Sequence, residues 1–147
     1  MEQSNDLKDF WLQFYEALSH GDHIFVERHI SHSNGVLAIG TDPSEWWTGH
    51  ATIGKMLKAD LEELVGVQIV AGDLQAYCTG TIGCVTDRPR FRLSDGTEIP
   101  MRLTSVVCKE ENDWKIVLWH ASFGVQNEQV FGTRCRWAKP AQPPAES

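Results

Sequence analysis

Histidine and cysteine are the residues of this sequence that could hold a metal ion. His29 and His32 have the i, i+3 spacing that can place two ligands on one helix face, but no Asp or Cys accompanies them in a fixed register. We expect these histidines, with the nearby His20 and His23, to lie at solvated helix ends. The cysteines contain no Cys-x-x-Cys pair and are expected to be reduced thiols: Cys78, Cys84, Cys108 and Cys135. The sequence therefore predicts no metal site and no cofactor.

Oxygen-bearing side chains offer acid–base and hydrogen-bonding chemistry instead. The run Asp42-Pro43-Ser44-Glu45 matches a capping box, with Asp at the N-cap, Pro at the first helical position and Glu at the third. This pattern gives Asp42 a structural role beside any functional one. The hydroxyls of Tyr15 and Tyr77 could donate to a ligand, although a buried tyrosine needs a partner in any case.

Two adjacent tryptophans, Trp46 and Trp47, lie in the loop expected to lead into the third helix. Neighbouring side chains cannot both face one way. One could line a pocket and the other contact a partner subunit, although core packing of both is the favoured interpretation.

Three helices are predicted in the first half of the chain. An apolar stripe at helical spacing indicates a helix over residues 5–20, and Asp22 can cap a second helix that ends near Ile30. Val36–Ile39 is typical of a short strand. A third helix is predicted from about Thr48 to Gly66.

The second half is almost entirely strand-like. Four long strands are predicted over residues 67–77, 80–93, 97–110 and 113–124, joined by turns. Helices and strands are segregated along the chain, which favours an α+β fold with an antiparallel meander. We expect a single domain over residues 1–126 and a C-terminal extension over 127–147 whose end is disordered.

The last two predicted strands are apolar on both faces. Alternation places Leu118 and His120 on the side of Trp114, and Trp119 on the opposite side. Helices can cover only one face of such a sheet. We therefore predict a homodimer that buries the outer face.

Charge and hydropathy exclude several classes of protein. The net charge of -7, without any Lys/Arg cluster, argues against nucleic acid as a partner. Apolar runs are far shorter than the ~20 residues of a membrane span, and the N-terminus lacks a signal-peptide pattern. We expect a cytoplasmic protein without membrane contact.

Two segments carry a resemblance to a known family. Ile39-Gly40-Thr41-Asp42-Pro43 precedes Glu45-Trp46-Trp47-Thr48-Gly49, and Trp114-Lys115-Ile116-Val117 precedes His120-Ala121-Ser122. With the element order over residues 5–124, they resemble the nuclear transport factor 2-like superfamily, nearest its SnoaL-like branch. The resemblance implies a cone-shaped α+β barrel, in which a curved sheet wraps over helices around an apolar pocket. Members include ketosteroid isomerase, scytalone dehydratase, polyketide cyclases, a kinase association domain and binding proteins without chemistry.

The resemblance also implies candidate catalytic residues. Asp42 matches the position of the general base of ketosteroid isomerase. The oxyanion-hole donors of that enzyme do not carry over, because Phe14 stands where a tyrosine is needed and Arg102 where a carboxylic acid is needed. Arg102 could still hold an anionic ligand, polarise a carbonyl or pair with Asp42. Likeness to the kinase association domain places His120 on the cone wall as a proton shuttle, or as a hydrogen-bonded core histidine.

Two functions remain open at this point. The first is a homodimeric protein that binds a small apolar or anionic molecule through Phe14, Tyr15, Trp46, Trp47 and Tyr77. The second is a cofactor-independent lyase or isomerase, with Asp42 as base, His120 as proton donor and Arg102 steadying an oxyanion. We favour the first, because the fold does not fix the function and the isomerase donors are missing.

Overall fold

The N-terminal helix packs its apolar stripe against a sheet. In the computed structural model, which describes residues 1–134, β1 (Glu2–Gln3) precedes α1 (Asn5–Ser19). The Ser4 side chain accepts the Leu7 N–H at 3.1 Å and so caps α1. The stripe that α1 buries forms the centre of the core: Leu7, Phe10, Trp11, Phe14, Tyr15, Ala17 and Leu18. The short α2 (His23–Arg28) follows, capped by Asp22.

A hairpin takes the place of the predicted loop and capping box. β2 (Leu37–Ile39) pairs antiparallel with β3 (Trp46–Thr48), and α3 (His50–Glu63) begins only afterwards, with Gly49 at its N-cap. The carboxylate of Asp42 accepts the N–H and the hydroxyl of Ser44 inside the turn of this hairpin. Asp42 caps none of the described helices, so the capping-box interpretation of this run is wrong. Asp42 shapes a turn with the same local hydrogen bonds that would make it a good cap.

The four predicted long strands are divided between two sheets. The second half contains β4 (Gln68–Val70), β5 (Gln75–Thr79), β6 (Ile82–Asp87), β7 (Arg90–Arg92), β8 (Glu98–Pro100), β9 (Arg102–Glu110), β10 (Asp113–Ser122) and α4 (Asn127–Phe131). The larger sheet has the order β1-β5-β6-β9-β10-β2-β3 and the smaller one β4-β7-β8. All pairs are antiparallel except β2 with β10, which is parallel. The predicted α+β class and the curved, unclosed sheet of the cone are confirmed.

The buried carboxylate of Asp87 holds the bend where the long strands break. It accepts the backbone N–H groups of Asp73 and Arg88, both at 2.7 Å, and that of Gly72 at 3.2 Å. A Cβ on Gly72 would lie 2.0 Å from the carbonyl oxygen of Arg88, so this close approach needs glycine. The backbone groups freed at the break are thus paired, and Pro89 has no N–H to satisfy.

A β-bulge in the last strand decides which side chains face the cone interior. β10 pairs with β9 through Ile116–Val107 and then through Leu118–Val106, so Val117 is an extra residue. The hydroxyl of Ser105 donates to the Leu118 carbonyl at 2.7 Å beside this bulge. As a result Trp114 and Ile116 face inward before the bulge, and Trp119 and Ala121 face inward after it. The predicted unbroken alternation, which put Trp114 and His120 on one side, is wrong.

The outer face of the larger sheet carries a row of half-buried apolar side chains. Strand pairing aligns them across five strands: Tyr77, Cys84, Val106, Leu118 and Leu37. The predicted homodimer would cover this row, and it stays a prediction. The proposed roles of residues 135–147, including the reduced thiol of Cys135 and the disordered end, lie outside the described residues. Within residues 1–134, no helix has the length and apolar character needed to cross a membrane.

Candidate functional site

The cone encloses one well-formed apolar pocket among the described residues, with a volume of about 140 Å³. Its floor is built from side chains of α1, the inner sheet face and α3: Tyr15, Leu18, Ala38, Leu57, Met101, Leu103, Trp119 and Ala121. Drug-sized ligands occupy pockets of roughly 300–1,000 Å³, whereas a cavity of about 150 Å³ can hold benzene. The enclosed part of this pocket therefore suits a ligand of about one ring.

Tyr15 supplies a polar atom to the floor, but its proton is already committed. Its hydroxyl donates to Asp87 at 2.9 Å, and both residues are buried. Burial, followed by the nearby charge of Asp87, raises the pKa of the Tyr15 hydroxyl. The Asp87 carboxylate also accepts three backbone N–H groups, so its oxygens are already occupied by donors. This pair is therefore unable to donate to an oxyanion.

Two carboxylates stand at the mouth of the pocket. Glu45 lies in the β2–β3 hairpin and Asp60 on α3, and both are half-buried beside the exposed Leu64. Burial, and then the like charge of Asp60, raise the pKa of Glu45. Burial, and then the charge of Glu63, raise the pKa of Asp60. The mouth is thus negatively charged at neutral pH, and its carboxyls bind protons more readily than ordinary ones.

Gly40 makes room for the Glu45 carboxylate. A Cβ at position 40 would lie 1.7 Å from Oε2 of Glu45, so the side chain folds directly over the Gly40 backbone. The Glu45 carbonyl also accepts the Gly40 N–H at 2.9 Å, which closes the hairpin. The position of this carboxylate is therefore set by the hairpin itself.

Only two of the ligand-binding and catalytic candidates predicted from the sequence line this pocket. Tyr15 is on its floor, and Trp47 is half-buried on its wall. Trp46, by contrast, is 62% exposed, since the two tryptophans alternate along β3. Phe14 is fully buried behind the wall, with its ring centroid 5.3 Å from that of Trp119. Tyr77 lies in the apolar row on the outer face of the sheet.

The three candidate catalytic residues are not brought together. Asp42 is exposed in its turn, where the two Ser44 hydrogen bonds lower its pKa. His120 is exposed on β10, directed outward by the bulge at Val117. Arg102 is exposed at the start of β9 and lines a depression on the outer surface. A base, an acid and an oxyanion donor therefore do not converge at these positions.

The sequence did not lead to Glu45 and Asp60 as pocket residues, although the spacing around Asp60 contained a signal. Asp60 interrupts the apolar stripe of α3, at i+3 from Leu57 and i−4 from Leu64. An acidic residue within such a stripe faces a cavity or a solvated rim. Glu45 had no comparable signal, because its position depends on a hairpin that the pattern presented as a helix start.

The described residues contain no group of three or more His, Cys, Asp or Glu side chains placed to hold a metal ion. His29 is buried, with Nδ1 donating to the Phe25 carbonyl at 2.8 Å, and the ring of His32 contacts that of His50 in a tilted arrangement. Burial is the main cause that lowers the pKa of His29. The buried position of His29 contradicts the expectation that this histidine lies at a solvated helix end.

Comparisons with known proteins agree with this architecture. No curated protein matches the chain. A nuclear transport factor 2-like protein of unknown function from Pseudomonas putida is 14% identical with a TM-score of 0.69, over 94% of this chain and 99% of that one. A protein from Shewanella frigidimarina described as a ketosteroid isomerase candidate is 21% identical with a TM-score of 0.65, over 78% and 92% of the two chains. These likenesses show the fold.

A kinase-related domain has the same architecture. A protein from Xanthomonas campestris described as a candidate association domain of calcium/calmodulin-dependent protein kinase II is 13% identical with a TM-score of 0.66, over 84% of this chain and 95% of that one. The sequence model of the SnoaL-like domain matches residues 7–126, which is most of the chain. The chain therefore belongs to the SnoaL-like domain family, within the nuclear transport factor 2-like superfamily.

Proposed function

We propose that this protein binds a small, mainly apolar molecule of about one ring, with a hydrogen-bond donor or cationic group directed at Glu45 and Asp60. The observation that carries the proposal is an enclosed apolar floor with two carboxylates at its mouth. Carboxylates accept hydrogen bonds and attract cations, and they repel anions where water is partly excluded. An amine or alcohol therefore fits this pocket better than a carboxylate does.

A matched set of one-ring compounds tests the proposal. Benzylamine, benzyl alcohol and benzoate share an aromatic body and differ in the polar group. Fluorescence of Trp47 and Trp119, which line the pocket, and titration calorimetry report binding. We expect the amine and the alcohol to bind. Benzoate should bind the pocket at least roughly tenfold more weakly than either, because its carboxylate would meet the carboxylates at the mouth.

Two variants on neighbouring residues locate the binding. Ala121 faces the pocket, so Ala121→Leu fills the space that the ring would occupy and is expected to abolish benzylamine binding. Ser122 lies next on the same strand and points to the other face, so Ser122→Leu is the control and keeps binding. Equal affinities of wild type and Ala121→Leu for benzylamine would contradict the proposal.

A catalytic alternative is favoured by one observation. Glu45 combines a raised pKa with an apolar surrounding, which is typical of a general base. A cofactor-independent lyase or isomerase would then use Glu45 in the role proposed for Asp42. Exchange of the carbon-bound protons next to the carbonyl of phenylacetone in D₂O, followed by NMR, measures such proton abstraction.

The catalytic alternative predicts that Glu45→Gln stops this exchange while phenylacetone still binds, and that Asp42→Asn leaves the exchange rate unchanged. Absence of exchange in the wild-type protein would leave the binding function alone. Loss of exchange in Asp42→Asn or His120→Ala would instead support the catalytic residues predicted from the sequence, namely Asp42, His120 and Arg102.

A further inference from the structure

A second depression lies on the outer surface of the cone and is lined by three arginines. Arg88, Arg90 and Arg102 surround a floor formed by Ile99, Pro100, Met101, Phe123 and Gly124. The Phe123 side chain is 41% exposed, and its ring packs edge-on against Phe91 with centroids 6.2 Å apart. An exposed aromatic ring is thus placed among guanidinium groups in a protein of net charge -7.

The three arginines come together where the two sheets meet. Arg88 lies in the bend between β6 and β7, Arg90 begins β7 and pairs with Pro100, and Arg102 begins β9. All three line the same depression. The backbone on both sides of the cluster is fixed, since Asp87 holds the Arg88 N–H and Arg102 pairs with Ser122.

The positive charge of this cluster is only partly neutralised. Glu98 pairs with Nε of Arg90 at 2.6 Å and also with Arg92 at 2.9 Å. Within residues 1–134, Arg88 and Arg102 have no carboxylate within ion-pair distance. Two of the three guanidinium groups that line the depression are thus without an ion pair in the described residues. Such a cluster suits an anion that accepts several guanidinium donors at once.

We propose that this depression binds the carboxylate of a small organic anion whose flat apolar body packs on Phe123 and Pro100. A guanidinium offers planar, paired donors that match a carboxylate, and the ring supplies a stacking surface. The cluster holds only three arginines, so a long polyanion would extend beyond it. Because the protein has a net charge of -7, the rest of its surface would repel such a polyanion. The site is distinct from the pocket inside the cone, because Met101 is the one lining residue that the two have in common.

The test compares 2-naphthoate with its neutral analogue 2-naphthamide and with inorganic phosphate. Calorimetry at low salt measures affinity, and NMR of the arginine Nε–Hε groups locates the ligand. We expect 2-naphthoate to shift the NMR signals of Arg90 and Arg102. It should bind at least roughly tenfold more tightly than 2-naphthamide, which lacks the charge-assisted hydrogen bond, and than phosphate, which lacks the apolar contact. Its affinity should fall as salt is added.

Substitutions distinguish binding at these arginines from a general attraction of the anion to positive charge on the protein. Arg88 and Arg102 are exposed, so the Arg88→Gln/Arg102→Gln protein should fold normally while its affinity for 2-naphthoate falls at least roughly tenfold. Lys8→Gln/Lys55→Gln removes the same charge from exposed helix positions and is expected to change the affinity less than twofold.

Three outcomes overturn the proposal. One is equal binding of 2-naphthoate and 2-naphthamide, and another is an unchanged affinity in the double arginine variant. The third is loss of 2-naphthoate binding in Ala121→Leu, because that variant alters only the pocket inside the cone. Loss of benzylamine binding in the same variant concerns the proposed function and leaves this site untouched.

Discussion

The pocket inside the cone and the depression outside it share a wall and differ in the charge around them. Met101 lines both, and the edge-on pair of Phe91 and Phe123 spans the same wall. Both floors are apolar. Carboxylates surround the inner opening and guanidinium groups the outer one. The comparison teaches that one fold supplies apolar surface to both regions, whereas a few residues set the charge at each rim.

The two rims are also built from different elements. Arg90 and Arg102 each lie on a paired strand. Glu45 lies in a hairpin turn, and its carboxylate rests on Gly40. Asp60 belongs to a third element, α3. Arg90 belongs to the smaller sheet and Arg102 to the larger one, so the outer charges depend on how the two sheets meet, while the inner pair depends on the relative placement of a hairpin and a helix.

Asp87 supports both regions, and its removal should have the largest effect. It binds the Tyr15 hydroxyl on the inner side and the Arg88 N–H on the outer side. Asp87→Ala leaves several buried donors unpaired, so we expect it to lower the free energy of unfolding by about 3–5 kcal/mol. Urea unfolding followed by circular dichroism measures this loss.

Asp42→Ala is the matched control for Asp87→Ala. Its carboxylate makes hydrogen bonds in an exposed turn, so the expected loss of stability is much smaller than that of Asp87→Ala. Similar losses in the two variants would show that the bend at Asp87 does not hold the two regions together.

Met101 separates the two regions, and shortening it should join them. The side chain is 5% exposed, so Met101→Ala is expected to cost about 2–4 kcal/mol of stability. It should also enlarge the inner pocket enough for a two-ring apolar ligand such as naphthalene, which the wild type excludes. Fluorescence of the pocket tryptophans and denaturant unfolding measure the two effects.

Met101→Leu is the control, because it keeps the volume and should leave both ligand size and stability nearly unchanged. Naphthalene binding equally to wild type and Met101→Ala would contradict the role of Met101 as the wall.

The parts of the fold that depend on local pattern could be predicted from the sequence. The apolar stripe of α1, the cap at Asp22 and the segregation of helices from strands all have periodic or short-range signals. Tertiary contacts decided the rest. The division of the long strands depends on Asp87 reaching across to Gly72 and Asp73, and no property of those segments alone reveals it.

The candidate site was predicted less well than the fold, for two physical reasons. A single extra residue at Val117 reversed the faces of β10 beyond it, so His120 turned outward and Trp119 inward. A local hydrogen-bonding pattern at Asp42 suits a turn as well as a helix cap, and the hairpin placed Glu45 where Asp42 was expected. Pocket residues depend on such one-residue choices, whereas fold class does not.

The row of half-buried apolar side chains on the outer face of the larger sheet differs from both openings, because its members carry no charge. We keep the proposal that a second copy covers it, and Leu118 is at its centre, between Val106 and Leu37. Leu118→Lys should weaken dimerisation at least roughly tenfold, because it places a charge in an apolar contact. Sedimentation velocity over a range of concentrations measures the dimer.

Leu12→Lys is the control for Leu118→Lys, since Leu12 is a 41% exposed leucine on α1 outside the sheet, and the dimer should persist. A wild-type monomer at all concentrations would contradict the proposal.

The smallest expected effect concerns the charge of the inner rim. A carboxyl group whose pKa is higher in the folded chain than in the unfolded chain destabilises the fold once it ionises. The raised pKa values of Glu45 and Asp60 therefore predict a cost that is absent well below their ordinary pKa range and complete at neutral pH. Glu45→Gln/Asp60→Asn should raise the melting temperature at pH 7 by less than roughly 3 °C, because both groups are partly solvated.

The same double variant should show no such gain near pH 3, where both carboxyls of the wild type are protonated. It should also lose the preference for benzylamine over benzoate, while 2-naphthoate binding at the arginines stays within about twofold of wild type because that site lies beyond Met101. Glu16→Gln, an exposed change on α1, controls for net charge. A stabilisation that is equal at pH 3 and pH 7 would mean that ionisation of this rim has no part in the effect, and the contrast in charge between the two openings would then not govern their ligands.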